Sequence, residues 1–312
     1  MSRTTPTSWV RDGVRDVRTV ARGWRWGVGR KALVPRSAEP YVPARSTRVF
    51  PTRWARTPFM RGVREIVLGV GMNGLLRSQV SVQAHGLDVL DRVEGPVVFV
   101  ANHTSHVDTP LIMNTLPARW RRKTAVAAAA DYFFDTWWRA AGSAVLFNTF
   151  PIERRGGSLS STPGYLLKDG WSIVVYPEGT RSRDGWTGPF KLGAAFMATT
   201  YGVPVVPIAI RGSFNAMPHE QAWPSRGRPP VSIRYGEPVV PVPDEGPRDF
   251  GKRVERAMAE LLDEDGSDWF SARLRASGEG NAPTSGPDVA RWRRVWQTSR
   301  APQQRGRRTV WH

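Results

Sequence analysis

Apolar positions fall into two rhythms along this chain. Short, largely apolar runs at 97–101, 125–129, 173–176, 205–210 and 231–235, rich in valine, isoleucine and alanine, predict short strands. Between them, the patterns over 109–116, 132–141, 159–168 and 190–200 predict helices, and an amphipathic pattern over 248–262 predicts one more that closes the domain. Strand-type runs alternating with helical segments define an α/β layered domain. No internal repeat interrupts that order.

The flanks read differently. Residues 1–57 form an arm in which Trp9, Trp24 and Trp26 sit among arginines and Pro35, Pro40, Pro43 and Pro51 break any long element. Val10, Val14, Val17 and Ala21 recur at helical spacing beside Arg11, Arg15, Arg18 and Arg22, which predicts a short helix that either docks on the domain or lies on a membrane surface. At the other end Gly278, Gly280, Pro283, Ser285, Gly286 and Pro287 read as a linker, so the expected organisation is an arm over 1–57, a domain over 58–270, and a linker with basic tail over 271–312.

The longest apolar run of the N-terminal part, 66–76, is bounded by Arg64 and Glu65 before it and Arg77 after it. As a helix it spans roughly 16 Å against a hydrocarbon core of about 30 Å, so it is expected to pack in the domain or lie in an interface, not to cross a bilayer. Residues 1–34 meet a charge every few positions and offer no secretory apolar core.

Charge changes the picture through its placement. The 45 basic and 27 acidic residues of the 312 give a net +18, yet 81–270 holds 20 basic against 21 acidic groups. The excess is terminal: 16 against 4 over 1–80 and 9 against 2 over 271–312. An anionic partner is therefore expected at the ends, with nucleic acid, a membrane surface and a phosphorylated substrate as the classes to weigh. No nucleic-acid motif accompanies the charge, so a basic nucleic-acid-binding protein stands as the alternative and no nucleic acid is expected. The absence of cysteine excludes disulfide scaffolds, thiol nucleophiles and cysteine-ligated metals.

Candidate chemistry sits where apolar strands end. The first constellation, Asn102-His103-Thr104-Ser105-His106-Val107-Asp108, follows one strand and opens a helix. A histidine five residues ahead of an aspartate can fold back so that the carboxylate meets one ring nitrogen and the other serves as a base. The same letters also suit plain helix capping, with Ser105 at the cap, Asp108 at the capping-box position and Pro110 in the first turn. A second segment, Tyr176-Pro177-Glu178-Gly179-Thr180-Arg181-Ser182, follows another strand; its glycine permits an unusual backbone path and Arg181 can fork onto a phosphate, although a turn accounts for most of its residues. A third, Phe150-Pro151-Ile152-Glu153-Arg154-Arg155-Gly156-Gly157, ends an apolar stretch with two arginines, and the fourth, 202–210, is a Val-Pro strand with no reactive group. His103 and His106 lack a third ligand in a familiar zinc pattern, and the nearest approach to a serine-hydrolase elbow, Gly156-Gly157-Ser158-Leu159-Ser160, lacks its last glycine.

In their order and spacing these four segments resemble the blocks of the lysophosphatidic acid acyltransferase (1-acylglycerol-3-phosphate O-acyltransferase) family of the glycerolipid acyltransferase superfamily: H-x-x-x-x-D, an arginine block, P-E-G-T-R-S, and a V-P-hydrophobic strand. The likeness covers roughly 60–240 and is loosest at the arginine block, where both Arg154 and Arg155 are available. It implies a glycerolipid-acyltransferase-like domain with a mixed, mostly parallel sheet. It also implies His103 and Asp108 as the catalytic pair, Arg154 and Arg181 on the acceptor phosphate, and Glu178, Gly179 and Thr180 shaping the acceptor loop. Implied with them are a lysophospholipid acceptor, an acyl thioester of CoA or acyl carrier protein as co-substrate, no cofactor and no metal. The place implied is the cytoplasmic face of the cell membrane, held peripherally or monotopically on anionic lipid. Other glycerolipid or glycolipid acceptors of the same superfamily stay open.

Overall fold

The computed structural model describes residues 52–298, apart from 131–135, 153–160, 219–220, 222, 279 and 282. The helix expected within 10–21, the three arm tryptophans, Arg154 and the end of the basic tail lie outside the described residues.

Seven strands make one sheet: β1 Ser81–His85, β2 Val98–Ala101, β3 Thr124–Ala129, β4 Thr149–Ile152, β5 Ser172–Val175, β6 Val205–Arg211 and β7 Pro230–Tyr235, in the spatial order β1-β7-β6-β2-β5-β3-β4. All neighbours pair in parallel except β6 with β7, so the sheet is mixed and mostly parallel, as expected. The five expected strands are β2, β3, β5, β6 and β7. The two additional ones lie at the edges and have physical reasons for being hard to see. Strand β1 is largely exposed and shows no apolar alternation, and β4 is only four residues long, one of them Pro151, which lacks a ladder donor.

Alternation along the central strands divides the core between the two faces. Phe99 and Ala101 of β2 join Val174, Val206 and Ile208 on one side, while Val98 and Val100 join Ile173, Val175 and Ala209 on the other. The first face is covered by α1 Pro58–Ile66, a π-helical stretch Val67–Met72, α2 Asn73–Gln79, α3 Asp108–Thr115 and α4 Ala118–Arg121, through Leu68, Leu76, Leu111, Ile112, Met113 and Trp120. Helix α5 Trp137–Phe147 is tied to α1 by Arg64, which is buried and donates to the carbonyls of Ala144, Val145 and Ala55, each at 2.8 Å. Burial lowers the Arg64 guanidinium to about 10, with Arg56 adding to the shift. The second face is covered by α6 Thr162–Lys168, α7 Gly193–Tyr201 and, after the short α8 Ser213–Ala216, by α9 Pro247–Gly266, whose Phe250, Val254, Met258 and Leu261 form one buried row.

Three expectations about helices are corrected. Helix α7 starts three residues later than expected, because Lys191 donates its amide to the Pro177 carbonyl at 2.9 Å and belongs to the preceding loop. Helix α5 runs six residues past the expected end and stops at Asn148, which takes up the left-handed conformation at φ 51°. The domain boundary expected at 270 falls inside α10 Trp269–Ser277, which Asp268 caps by accepting from the Ser271 amide at 2.9 Å. The segment read as linker and tail holds this helix and α11 Arg291–Thr298. Gly and Pro there mark turns between short helices instead of an open linker.

Strand β2 lies between β5 and β6, with Phe99 level with Val174 and Val206. The chain therefore leaves β2 at 102–108, β5 at 176–182 and β6 at 212–213 along the same rim, the carboxyl edge where open α/β sheets hold ligands.

Candidate active site

At the end of β2 the buried Asn102 side chain acts as a substitute strand residue: Nδ2 donates to the Ile210 carbonyl at 2.9 Å and Oδ1 accepts the Ile210 amide at 2.7 Å. An apolar residue there would leave two buried backbone groups unpaired, each costing ~1–3 kcal/mol. With the strand end pinned, the next residues turn into α3. Thr104 and Ser105 are buried and anchored across the rim, Thr104 Oγ1 within 2.7 Å of Ser213 Oγ and Ser105 Oγ donating to the Met217 carbonyl at 2.8 Å.

His103 folds back as its spacing suggests. Its Nδ1 lies 2.9 Å from Asp108 Oδ2. The same oxygen accepts the amides of Thr104 and Ser105, each at 2.8 Å. The expected cap is corrected: α3 starts at Asp108 with Val107 at its N-cap and no side-chain cap, Ser105 turning its hydroxyl to Met217, while Asp108 stands at the helix start where the dipole favours negative charge. Asp108 is fully buried, and its Oδ1 has no hydrogen-bond partner among the described residues. The His103 side chain is 19% exposed, and its ring stacks on Tyr176 at 4.0 Å between centroids and 19° between planes. Burial, with Asp108 nearby, holds the Tyr176 hydroxyl in its neutral form, hydrogen-bonded to Thr109 at 2.8 Å. An imidazole fixed by Asp108 on one nitrogen and by stacking on one face presents the other nitrogen, Nε2, as a proton acceptor.

The loop after β5 closes around this pair. Glu178 is nearly buried, and its two oxygens are shared between backbone amides: Oε1 accepts from His103 and Oε2 from Gly188, both at 2.7 Å. Burial pushes the Glu178 carboxyl up to about 7 against the pull of those two amides, with the Asp108 and Asp184 charges adding to the rise. Ser182 donates its amide to the His103 carbonyl at 2.8 Å. His103 is thus gripped through its own backbone by two residues of the second segment. Gly179 takes φ 71°, a left-handed conformation that favours glycine, and a Cβ on it would meet only the movable end of the Lys191 side chain. Thr180 is exposed and Arg181 half-buried.

Of the residues singled out in the sequence, His103, Asp108, Glu178, Gly179, Thr180 and Arg181 lie on two adjacent loops at one rim, and Arg154 lies outside the described residues. Sequence reasoning passed over Asn102, Tyr176 and Gly188. The first two stood inside quoted segments, directly after a strand, but nothing local marks an asparagine as a strand mimic or a tyrosine as a stacking partner. Gly188 gave no signal, since it contributes only an amide. Among the described residues no group of three or more His, Asp or Glu is placed to hold a metal ion.

A mostly parallel α/β layer with a histidine–aspartate pair at the carboxyl end of a central strand defines the class, and the comparisons agree with it. Residues 81–211 match the Acyltransferase family model, so this segment is an acyltransferase-family domain. Similar proteins include a chloroplastic 1-acyl-sn-glycerol-3-phosphate acyltransferase of Brassica napus, 33% identical over 43% of this chain and 38% of the relative. They also include the alpha 1-acyl-sn-glycerol-3-phosphate acyltransferase of Bos taurus, 32% identical over 54% of this chain and 57% of the relative. The chain thus spans about half the length of these relatives or less. The crystal structure of the 1-acyl-sn-glycerophosphate (LPA) acyltransferase PlsC from Thermotoga maritima is similar at a TM-score of 0.47 and 24% identity, covering 68% of this chain and 83% of that one.

Proposed function

We propose that this protein transfers a fatty acyl group from an acyl thioester, of CoA or acyl carrier protein, to the free hydroxyl of lysophosphatidic acid, giving phosphatidic acid. The observation that carries the reading is the His103–Asp108 contact of 2.9 Å at the carboxyl end of β2, inside the segment that matches the acyltransferase family. The names of the relatives supply the acceptor.

In this reaction His103 Nε2 takes the proton of the acceptor hydroxyl as its oxygen attacks the thioester carbonyl. Asp108 holds the ring in the tautomer that leaves Nε2 free and balances the imidazolium that forms. The tetrahedral adduct collapses with loss of the thiolate, which receives the proton from Nε2. No acyl-enzyme forms. Arg181, and Arg154 with it, bind the acceptor phosphate, while Glu178 and Gly179 hold the loop that carries Arg181.

The test is an acceptor panel offered a labelled acyl thioester in lipid vesicles, read by the mass of the product. Phosphatidic acid from lysophosphatidate is the expected result, and product from another lysophospholipid or a glycolipid only would move the acceptor assignment. Arg181→Ala is expected to raise the apparent KM for lysophosphatidate by one to two decades, in line with ~1.5–3 kcal/mol for a charge-assisted phosphate contact, and to leave an unphosphorylated monoacylglycerol little affected. Equal losses on both acceptors would make Arg181 a loop residue and not a phosphate ligand.

The proposed acceptor and product live in a bilayer, and we place the protein on an anionic membrane surface, at the cytoplasmic face. No helix among the described residues is long and apolar enough to cross a membrane. What supports surface contact is an outward apolar row on α1 and the π-helical stretch after it: Phe59 76% exposed, Ile66 68% and Val70 76%. The 66–76 run thus divides, Leu68 and Leu76 into the core and Ile66 and Val70 outward. Burying such a side chain contributes ~1.5–3 kcal/mol, so Ile66→Ser with Val70→Ser is expected to lower vesicle binding at least tenfold. Unchanged co-sedimentation would remove this face from the membrane and leave the basic arm as its anchor.

A further inference from the structure

The turn that presents Ser182 to His103 is held from outside the family-matched segment. Asp184 organises it: Oδ1 accepts the Trp186 amide at 3.2 Å and the Ser182 hydroxyl at 3.1 Å. Oδ2 accepts Nε of Arg294, on α11, at 2.6 Å. The rest of the same guanidinium donates to the carbonyls of Pro287 at 3.0 Å and Ser285 at 2.8 Å. Four more bonds join the two segments: Trp186 Nε1 to the Arg294 carbonyl at 3.2 Å, the Thr187 amide to the Thr284 carbonyl at 3.1 Å, the Thr298 hydroxyl to the Asp184 carbonyl at 3.0 Å, and Arg291 Nη2 to the Arg183 carbonyl at 3.3 Å. The approach is close enough to demand glycine: at Gly286, φ 75°, a Cβ would lie 2.2 Å from the Trp186 ring.

An ion pair between exposed side chains contributes little, but Arg294 and Asp184 are only 22% and 19% exposed and the arginine spends its remaining donors on carbonyls of its own segment. Burial raises the Asp184 carboxyl, yet Arg294, the Trp186 amide and Ser182 outweigh it and hold the group below its ordinary value. The link runs from Arg294 to Asp184, from Asp184 to Ser182, and from the Ser182 amide to the His103 carbonyl.

Resting on the function proposed above, we infer that Arg294 is a positioning residue for the acceptor side of the site: acting through Asp184, it fixes the backbone from which the neighbouring Arg181 reaches the acceptor phosphate. The C-terminal segment thereby becomes part of the substrate-binding apparatus although it lies beyond the 81–211 match.

The test is direct binding of submicellar lysophosphatidate to the full chain, with amide hydrogen exchange over 182–187 measured alongside. Arg294→Gln is expected to weaken binding about tenfold and to speed exchange at Gly185 and Trp186. Asp184→Asn keeps the Oδ1 acceptor and serves should the arginine variant fail to fold; it is expected to lose as much. The double variant is expected to lose no more than either single one, because both break one link. Arg293→Gln removes the same charge from the same helix, where the guanidinium lies over the Trp292 ring at 5.7 Å, and is expected to bind as the parent does. Faster exchange with unchanged binding would reduce the contact to a structural one and overturn the inference, as would losses that multiply in the double variant. Binding that depends on Arg294 in a protein that transfers no acyl group would sink the proposed reaction and leave the positioning role standing, whereas a parent chain that binds no lysophosphatidate would sink both.

Discussion

Acyl transfer by His103→Ala is expected to fall by a factor of ~10²–10⁴ while the protein stays folded. The side chain is partly exposed and contributes one stacking contact and one bond to Asp108, whose Oδ2 keeps the Thr104 and Ser105 amides when the ring is removed, so the rest of the buried network at the start of α3 stays in place. Proton transfer matters in the transition state, so turnover should drop with little change in acceptor KM. Asp108→Asn is expected to lose a similar factor for another reason. Its amide can still accept through one oxygen, but it carries no charge to balance an imidazolium and can offer an N–H to Nδ1, which favours the wrong tautomer. Asp108→Ala is a poor substitute, because it strips two buried amides of their acceptor at ~1–3 kcal/mol each and mixes folding with catalysis. Circular dichroism and the unfolding midpoint establish that each variant is folded. Parent-like turnover in folded His103→Ala would end the base mechanism.

How much of this is legible in the sequence depends on whether the information is local. Of the five expected strands, β2, β3, β5 and β6 are apolar runs because a strand covered on both faces has no solvent side to mark, while β7 alternates buried Val231, Ile233 and Tyr235 with half-buried Ser232 and Arg234, and both patterns are visible at once. Edge strands β1 and β4 lack that mark: one is exposed along most of its length and the other is only four residues long, so only their neighbours in the sheet make them strands. The His103 and Asp108 fold-back follows from a spacing of five across a strand-to-helix turn, whereas the grip of Glu178 on the His103 amide joins positions 75 residues apart and no local rule yields it. The C-terminal segment is illegible in the sequence for the same reason. Its glycines and prolines read as an open linker, but Gly286 is there to pass over Trp186, and the acidic partner of Arg294 lies 110 residues earlier.

Glu178→Gln tests the long-range half of the site, and its effect is expected to depend on pH. The carboxylate gives one acceptor to His103 and one to Gly188, whereas glutamine has a single oxygen and must turn its NH₂ toward one of the two amides. A buried amide left facing another donor costs ~1–3 kcal/mol, so turnover at pH 8 is expected to fall by one to two decades as the His103 backbone loses its hold. Burial has raised the folded-state value to about 7 from an ordinary 4.5. The stability this group contributes is therefore fully present below about 4.5 and is lost as pH rises through about 7, a change on the order of 3 kcal/mol that glutamine cannot show. The stability of the parent should fall relative to Glu178→Gln as pH rises from about 4.5 through about 7, while its activity advantage widens as pH rises through about 7, because the doubly accepting carboxylate exists only once the proton has left. An activity ratio that stays constant from pH 5.5 to 8.5 would mean that the charge on Glu178 plays no part. A ratio that rises with pH as relative stability falls would show a buried acid held ionised, at a cost to the fold, so that two amides of the site can share it.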